Sequence, residues 1–288
     1  MNFLIPRIAA ALITAFLLTD ITAALAGTCE PSPAGLVSSW QAEGDFTDCL
    51  GINDGTQVGV VPFAPGKVGQ AFSFVADPSN YVNLGNPASL KFTDAVTITA
   101  WVYPTAPPEP SNLRAILTKW GQQFQTNPPP QPGDDSYGLW LENGTAGTLQ
   151  VFGAVNLDPG GPGTIEPHVD GGMIPLDAWS HVAMTFFRSP TETNLAVYVN
   201  CTNVASAAVG DFPIIASDKQ VLIGREDSYQ TRAFAGLIDQ VRVFDRALTA
   251  EEISQLVLDT DPVACDPITP AARKSWGQLK ARWKHRAR

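Results

Sequence analysis

The chain has 288 residues, with 28 Asp and Glu against 18 Lys and Arg, for a net charge of −10. Seven of those bases fall in Arg273–Arg288, so the rest of the chain is more acidic still. Such a surface repels phosphate backbones, which excludes a nucleic-acid binder and leaves divalent cations and neutral glycans as compatible partners.

Residues 1–26 read as a secretory signal peptide. Arg7 supplies the positive start, Ile8–Leu18 the apolar stretch, and Ala24-Leu25-Ala26 a small-x-small cleavage site before Gly27. Asp20 and the shortness of the apolar run argue against a retained anchor, since a span needs about 20 apolar residues. The expected location is therefore secreted or periplasmic. About 260 residues then remain, within the range of one all-β domain.

Short strand-like runs follow in order: Leu36–Ala42, Val68–Phe74, Tyr81–Leu84, Val96–Tyr103, Ala115–Lys119, Tyr137–Leu141 and Leu149–Ala154. His181–Phe187, Leu195–Val199, Val204–Val209, Val221–Arg225 and Phe234–Phe244 complete the series. Turn signals such as Asn53-Asp54-Gly55, Pro65-Gly66 and Asn143-Gly144 separate them. The pattern predicts an all-β, two-sheet antiparallel sandwich. One short C-terminal helix is expected, with Thr249 and Glu252 as its capping box and Ile253, Leu256 and Val257 as its buried stripe. Two Pro-rich insertions, Pro104–Pro110 and Asn127–Asp135, cannot join a central strand and are expected as rim loops beside Trp120 and Trp140.

In the last run Leu237, Val241 and Val243 share a parity, and Asp239 lies on it. A carboxylate on an apolar face needs a partner: a cation, a salt bridge or backbone N–H groups.

The order I-G-R, then F-x-G-x-I-D-x-V-R-V-F-x-R-A-L-T-x-E-E-I, over Val221–Leu258 resembles the closing strands of laminin-G-like jelly-roll domains of the concanavalin A-like superfamily. Matching pieces precede it: Gly35–Glu43, Ala64–Phe74, Tyr81–Val82, Leu90–Trp101, Trp179–Phe186 and Leu195–Asn200. The resemblance spans roughly residues 35–258 and implies a jelly roll, which is expected to occupy residues 27–265; the basic tail at 266–288 departs from the family pattern. The resemblance also implies neighbouring first and last strands and, as in many such domains, one structural Ca²⁺. Asp239 is the expected ligand, with Glu43 nearby; hydrogen bonds or a salt bridge at Asp239 are the alternative. The run Ile223–Ser228 is similar to a pentraxin calcium segment, which makes Glu226 and Asp227 a second candidate metal pair, although Ala183 stands where the pentraxin signature has cysteine. Trp40, Trp101 and Trp179 sit at packing positions of the family pattern.

Four cysteines in an exported chain suggest two disulfides. Adjacent first and last strands favour Cys29–Cys265 with Cys49–Cys201. The sequential pairing Cys29–Cys49 with Cys201–Cys265 remains open.

Sugar sites stack an aromatic face on the ring and hydrogen-bond its hydroxyls. Trp120, Trp140 with Asn143, and Tyr229 are the expected carbohydrate-binding residues. For catalysis the chain offers little: the E-x-D-x-E strand of glycosidases with this fold is absent, as are G-x-S-x-G, H-E-x-x-H and a P-loop. Of three histidines, His181 falls in a strand, His168 in a Gly/Pro-rich loop and His285 in the tail. Asn143-Gly144-Thr145 and Asn200-Cys201-Thr202 match the glycosylation sequon.

The tail places Trp276, Leu279 and Trp283 on one helical face among seven bases, a pattern able to contact an anionic membrane or polyanion. The expected function is a secreted, non-catalytic module that binds a glycan or an extracellular partner, possible calcium dependence included. A structural or adhesive protein held by its tail is the alternative, and a degenerate polysaccharide hydrolase or lyase the third reading.

Overall fold

The strands form because each carries a face of Val, Ile, Leu and Phe that leaves water only when two such faces meet. The computed structural model describes residues 32–108, 113–121, 135–145, 147–161, 163–227 and 230–260. Two antiparallel sheets pack face to face.

The eight-stranded sheet contains β1 (Leu36–Trp40), β3 (Phe63–Pro65), β4 (Gln70–Phe74), β6 (Ala95–Pro104), β11 (Ser180–Arg188), β12 (Thr193–Val199), β13 (Thr202–Ala207) and β15 (Gly236–Phe244). Its order is β13-β12-β11-β6-β15-β4-β3, with β1 also on β15. The seven-stranded sheet contains β2 (Thr56–Val58), β5 (Tyr81–Asn83), β7 (Arg114–Lys119), β8 (Tyr137–Asn143), β9 (Leu149–Val155), β10 (His168–Ile174) and β14 (Leu222–Ile223). It runs β10-β9-β8-β7-β14-β5-β2. Between the sheets lie Trp40, Phe72, Ile98, Ile116, Leu139, Met184, Ile223 and their neighbours.

First and last strands do pair, with Leu36 opposite Phe244 and Trp40 opposite Val241. Helix α1 (Ala250–Thr260) begins with the expected capping box. Thr249 Oγ1 accepts from the Glu252 N–H at 3.3 Å, and Glu252 Oε2 accepts from the Thr249 N–H at 3.0 Å. Ile253 and Leu256 bury against Ala183, Tyr198 and Phe244 on the outside of the eight-stranded sheet.

The parity expected for β15 breaks at one residue. Gln240 adopts a φ of 50°, and the pairing with β6 skips between Asp239 and Arg242. This is a β-bulge, and an extra residue reverses the facing of everything before it. Ile238 therefore joins Val241 and Val243 in the core. Asp239 turns to the outer side, opposite Trp101. Trp101 is also an outer-face residue, since its neighbours Ala100 and Val102 point inward. Trp40 packs in the core as expected, whereas Trp179 is only half-buried, against Tyr103.

Strand order also corrects one disulfide. The Cys49 N–H donates to the Ser39 carbonyl beside β1, and Cys201 sits in the turn between β12 and β13. Three strands, β15, β6 and β11, stand between. Four steps at about 4.8 Å give roughly 19 Å, whereas bridged Cα atoms lie within about 7 Å. Cys49 and Cys201 are thus not partners of each other, although neither is a free thiol. Cys29, Cys265, the segment 1–26 and the tail 266–288 lie outside the described residues.

Candidate functional site

On the outer face of the seven-stranded sheet, alternation brings every second residue of four strands to one surface. Ala115, Trp140, Phe152 and Asp170 stand in one cross-strand row. Gly138, Ala154 and His168 form the row beside it, and Glu142, Gln150 and Met173 the row on the other side. Gly138 is required: a Cβ there would lie 2.2 Å from the Trp140 ring, which covers it.

Four rings cross this face in sequence. Trp120 meets Trp140 edge-on at 5.3 Å, Trp140 meets Phe152 edge-on at 5.8 Å, and Phe152 stacks on His168 at 5.1 Å with 19° between planes. Exposure rises from Trp140 to His168. Trp120 and Trp140 are buried, at 6% and 1%. Phe152 is half-buried and His168 exposed. Beside the exposed end, the Gln150 amide donates to Glu142 Oε1 and, at 3.0 Å, to Asp170 Oδ2. Burial raises the Glu142 pKa above the usual carboxylate range. The Gln150 hydrogen bond opposes this shift, Asp170 adds to it, and His168 opposes it.

The loop after β14 holds the tryptophans in place. Glu226 is fully buried, and its Oε2 accepts from the Trp140 indole N–H at 2.9 Å and from Arg232 at 2.7 Å. The Asp227 N–H donates to the Trp120 carbonyl at 3.4 Å, and the Arg225 guanidinium lies 4.7 Å over the Tyr81 ring. Glu226 is therefore a clamp on Trp140. The Asp227 side chain beside it is exposed, 3.9 Å from Arg225, and among the described residues no third acid, histidine or cysteine joins the pair.

The other expected metal residues lie on the opposite outer face. Asp239 and Glu43 converge on the turn that joins β3 to β4. Asp239 Oδ2 accepts from the Val68 N–H at 2.9 Å, and Glu43 Oε2 from the Gln70 N–H at 3.2 Å. Gly66 and Gly69 make room for them. A Cβ at Gly66 would lie 2.7 Å from Asp239 Oδ2, and one at Gly69 2.2 Å from both Glu43 oxygens. Asp239 Oδ1 is buried without a hydrogen-bond partner. Burial pushes the Asp239 carboxyl up to about 7 against the pull of the surrounding N–H groups, and Glu43 adds to the rise. Lys67 Nζ lies 4.5 Å over the neighbouring Trp101 ring. Among the described residues no three His, Cys, Asp or Glu side chains gather as a metal site.

Of the expected sugar-binding residues, the structure brings Trp120 and Trp140 together but buries both, so neither presents an open ring. Asn143 is exposed at the end of β8, with its Nδ2 donating to the Pro108 carbonyl at 3.2 Å. Tyr229 lies outside the described residues. Sequence reasoning missed Phe152, Gln150 and His168. The first two could have been found as the outward parity of the Leu149–Ala154 run. His168 was hidden because HVDGGMI, with two glycines, reads as a loop although it forms β10.

Two packed antiparallel sheets whose first and last described strands pair make a jelly-roll sandwich. The chain belongs to the concanavalin A-like lectin/glucanases superfamily, whose laminin-G family model matches residues 76–254. No curated protein matches it in sequence. Among solved structures it is similar to domain 4 of AbnA, a GH43 extracellular arabinanase from Geobacillus stearothermophilus, in complex with arabinotriose. The identity is 19% and the TM-score 0.55, over 77% of this chain and 98% of that one. It is also similar to the binding domain of Paraclostridial Mosquitocidal Protein 1, at 16% identity and TM-score 0.58, over 78% of this chain and 52% of that one. The receptor-binding domain of botulinum neurotoxin type G matches at 15% and 0.55, over 78% and 51%. The chain thus spans about half the length of the toxin binding domains it resembles. At these identities the likeness is one of fold.

Proposed function

We propose that this chain is a non-catalytic module that acts outside the cytoplasm and binds a glycan on the outer face of its seven-stranded sheet. The observation that carries this reading is the row of rings from Trp120 to His168, rigidly clamped at its buried end and open at the other. A stiff aromatic shelf with amide and carboxylate groups beside it matches the two needs of sugar recognition, ring stacking and hydroxyl bonding. The arabinotriose complex of domain 4 of AbnA supports a glycan as the ligand class. A glycan array is the test. Absence of any sugar hit would sink the reading, and release of reducing ends from a polysaccharide would sink its non-catalytic part.

Three further elements belong to the proposal. A structural Ca²⁺ would be held by Asp239 and Glu43. The support is the orphaned Asp239 Oδ1 and the convergence of two carboxylates on one turn. Backbone carbonyls would supply the remaining oxygens that calcium needs. EDTA should then lower the melting temperature, and an unchanged melt would remove the ion. The disulfides would be Cys29–Cys49 and Cys201–Cys265. Cys29 precedes β1, against which Cys49 lies, and Cys201 accepts from Ser254 of α1, the helix that leads toward Cys265. Non-reducing peptide mapping decides this pairing. Export through the 1–26 signal would leave a mature protein starting at Gly27, which N-terminal sequencing reads directly.

A further inference from the structure

The two tryptophans are too deeply buried to receive a sugar, so the binding surface itself has to be found at the open end of the row. Three observations meet there. Phe152 and His168 form a stacked pair, with His168 exposed to solvent. Gln150, one position along β9 on the same face, donates its amide to Glu142 and Asp170. Those carboxylates flank the rings in neighbouring rows of the sheet, Asp170 in the row of Phe152 and Glu142 in the row of Gln150. The strands that carry these residues, β8, β9 and β10, are the last three at this edge of the sheet.

We propose that the Phe152–His168 pair, with Gln150, Glu142 and Asp170, is the subsite for a neutral sugar ring of an extended glycan. This assignment rests on the glycan reading above and adds the residues and the charge class. In the stacked pair Phe152 backs one face of His168 and leaves the outer face of the exposed ring as a flat plate onto which the C–H face of a pyranose or furanose can settle. Ionised carboxylates are acceptors only, and each oxygen has lone pairs beyond the one given to Gln150, so both can take sugar hydroxyl protons. Among the described residues neither Glu142 nor Asp170 has an arginine or lysine partner; His168 is the basic group that bears on Glu142. A uronate or sialate would therefore bring its own carboxylate against two others, a like-charge contact that disfavours binding. The strip selects against acidic sugars.

Affinity electrophoresis of the full chain tests this, through gels carrying hydroxyethyl cellulose, arabinan, arabinoxylan or the anionic polymer polygalacturonate. The expected result is retardation by at least one neutral polymer and none by polygalacturonate. Phe152→Ala and His168→Ala should each weaken the retardation about tenfold or more, the scale of one lost ring contact. His168→Phe, which keeps the plate, should retain it. Because His168 is exposed, its alanine variant should melt like the wild type, which separates lost binding from lost folding. Equal retardation of wild type and both alanine variants would place the sugar elsewhere and overturn the subsite while leaving the glycan reading intact. Preferential retardation by polygalacturonate would overturn the charge selection. Failure of every polymer to retard the wild type would overturn the subsite and count against the glycan reading together.

Discussion

Replacing Glu226 by alanine tests whether this buried acid is a structural clamp or a metal ligand. Its Oε2 receives two donors, the Trp140 indole at 2.9 Å and Arg232 at 2.7 Å, in a site with no solvent exposure at the acid. Removing one partner of a buried ion pair strands the other charge, which costs about 3–5 kcal/mol. Glu226→Gln keeps an acceptor for the indole and loses only the charge, so a smaller loss of about 1–3 kcal/mol is expected. Urea unfolding followed by tryptophan fluorescence reads both, since Trp120 and Trp140 lie at the perturbed place. A cycle with Trp140→Phe, which keeps a ring and deletes the N–H, should return a coupling of about 1 kcal/mol or more. All measurements are repeated in EDTA. The clamp assignment fails if Glu226→Ala costs under about 1 kcal/mol, or if that variant loses a chelator sensitivity that the wild type shows.

Three more outcomes follow from the geometry. His181 is buried beside Trp101, and burial first, then Arg242, pulls its pKa down to about 3. A histidine depressed on folding stabilises the native state above its unfolded pKa of about 6.5, and that stability drains away as pH falls, by about 2 kcal/mol at pH 5. Urea titrations at pH 7.5 and 5 should show His181→Phe losing less on acidification than the wild type by about that amount; identical losses would mean the imidazole is not held neutral. Gly59 combines a φ of 68° with a Cβ position 2.2 Å from the Ser79 carbonyl oxygen, whereas Gly51, at φ 67°, has nothing within 4 Å. Alanine at Gly51 should cost about 1–2 kcal/mol of backbone strain alone, and alanine at Gly59 distinctly more, because a backbone oxygen cannot swing aside. Equal costs in thermal unfolding would show that the approach of the two loops is not tight. Thr249→Ala removes the helix cap and should lower stability by about 1 kcal/mol, with the melting temperature moving by about 2–4 °C. No movement would show that α1 is held by its apolar contacts alone.

The failures of sequence reading were specific. The strands β2 and β3 have three residues each, too short for alternation to show, whereas β14 falls inside the expected Val221–Arg225 run. In β10 the glycines at 171 and 172 masked a strand that completes the sheet face. Asp239 was assigned to the core by counting in twos, a count that one residue in the left-handed region, Gln240, set off by one. The partners of Glu226 were not legible, because adjacent acids carry no sign of them in the sequence. Trp140 and Arg232, which occupy Glu226, come from 86 and 6 residues away.

The sequence by itself determined an antiparallel two-sheet sandwich and a helix with the Thr249–Glu252 capping box, because these depend on local periodicity and capping chemistry, which neighbouring residues express among themselves. The jelly-roll connection and the pairing of first and last strands were legible only through the family resemblance of Val221–Leu258 and the pieces that precede it. Only the tertiary structure decided which side of a sheet each polar residue faces, which cysteines cannot meet, and which aromatic rings reach solvent. Those properties depend on strand order, on a single bulge and on contacts between distant segments. The binding face moved accordingly, from the tryptophans, whose size draws them into burial, to Phe152 and His168 at the open end of the row they support.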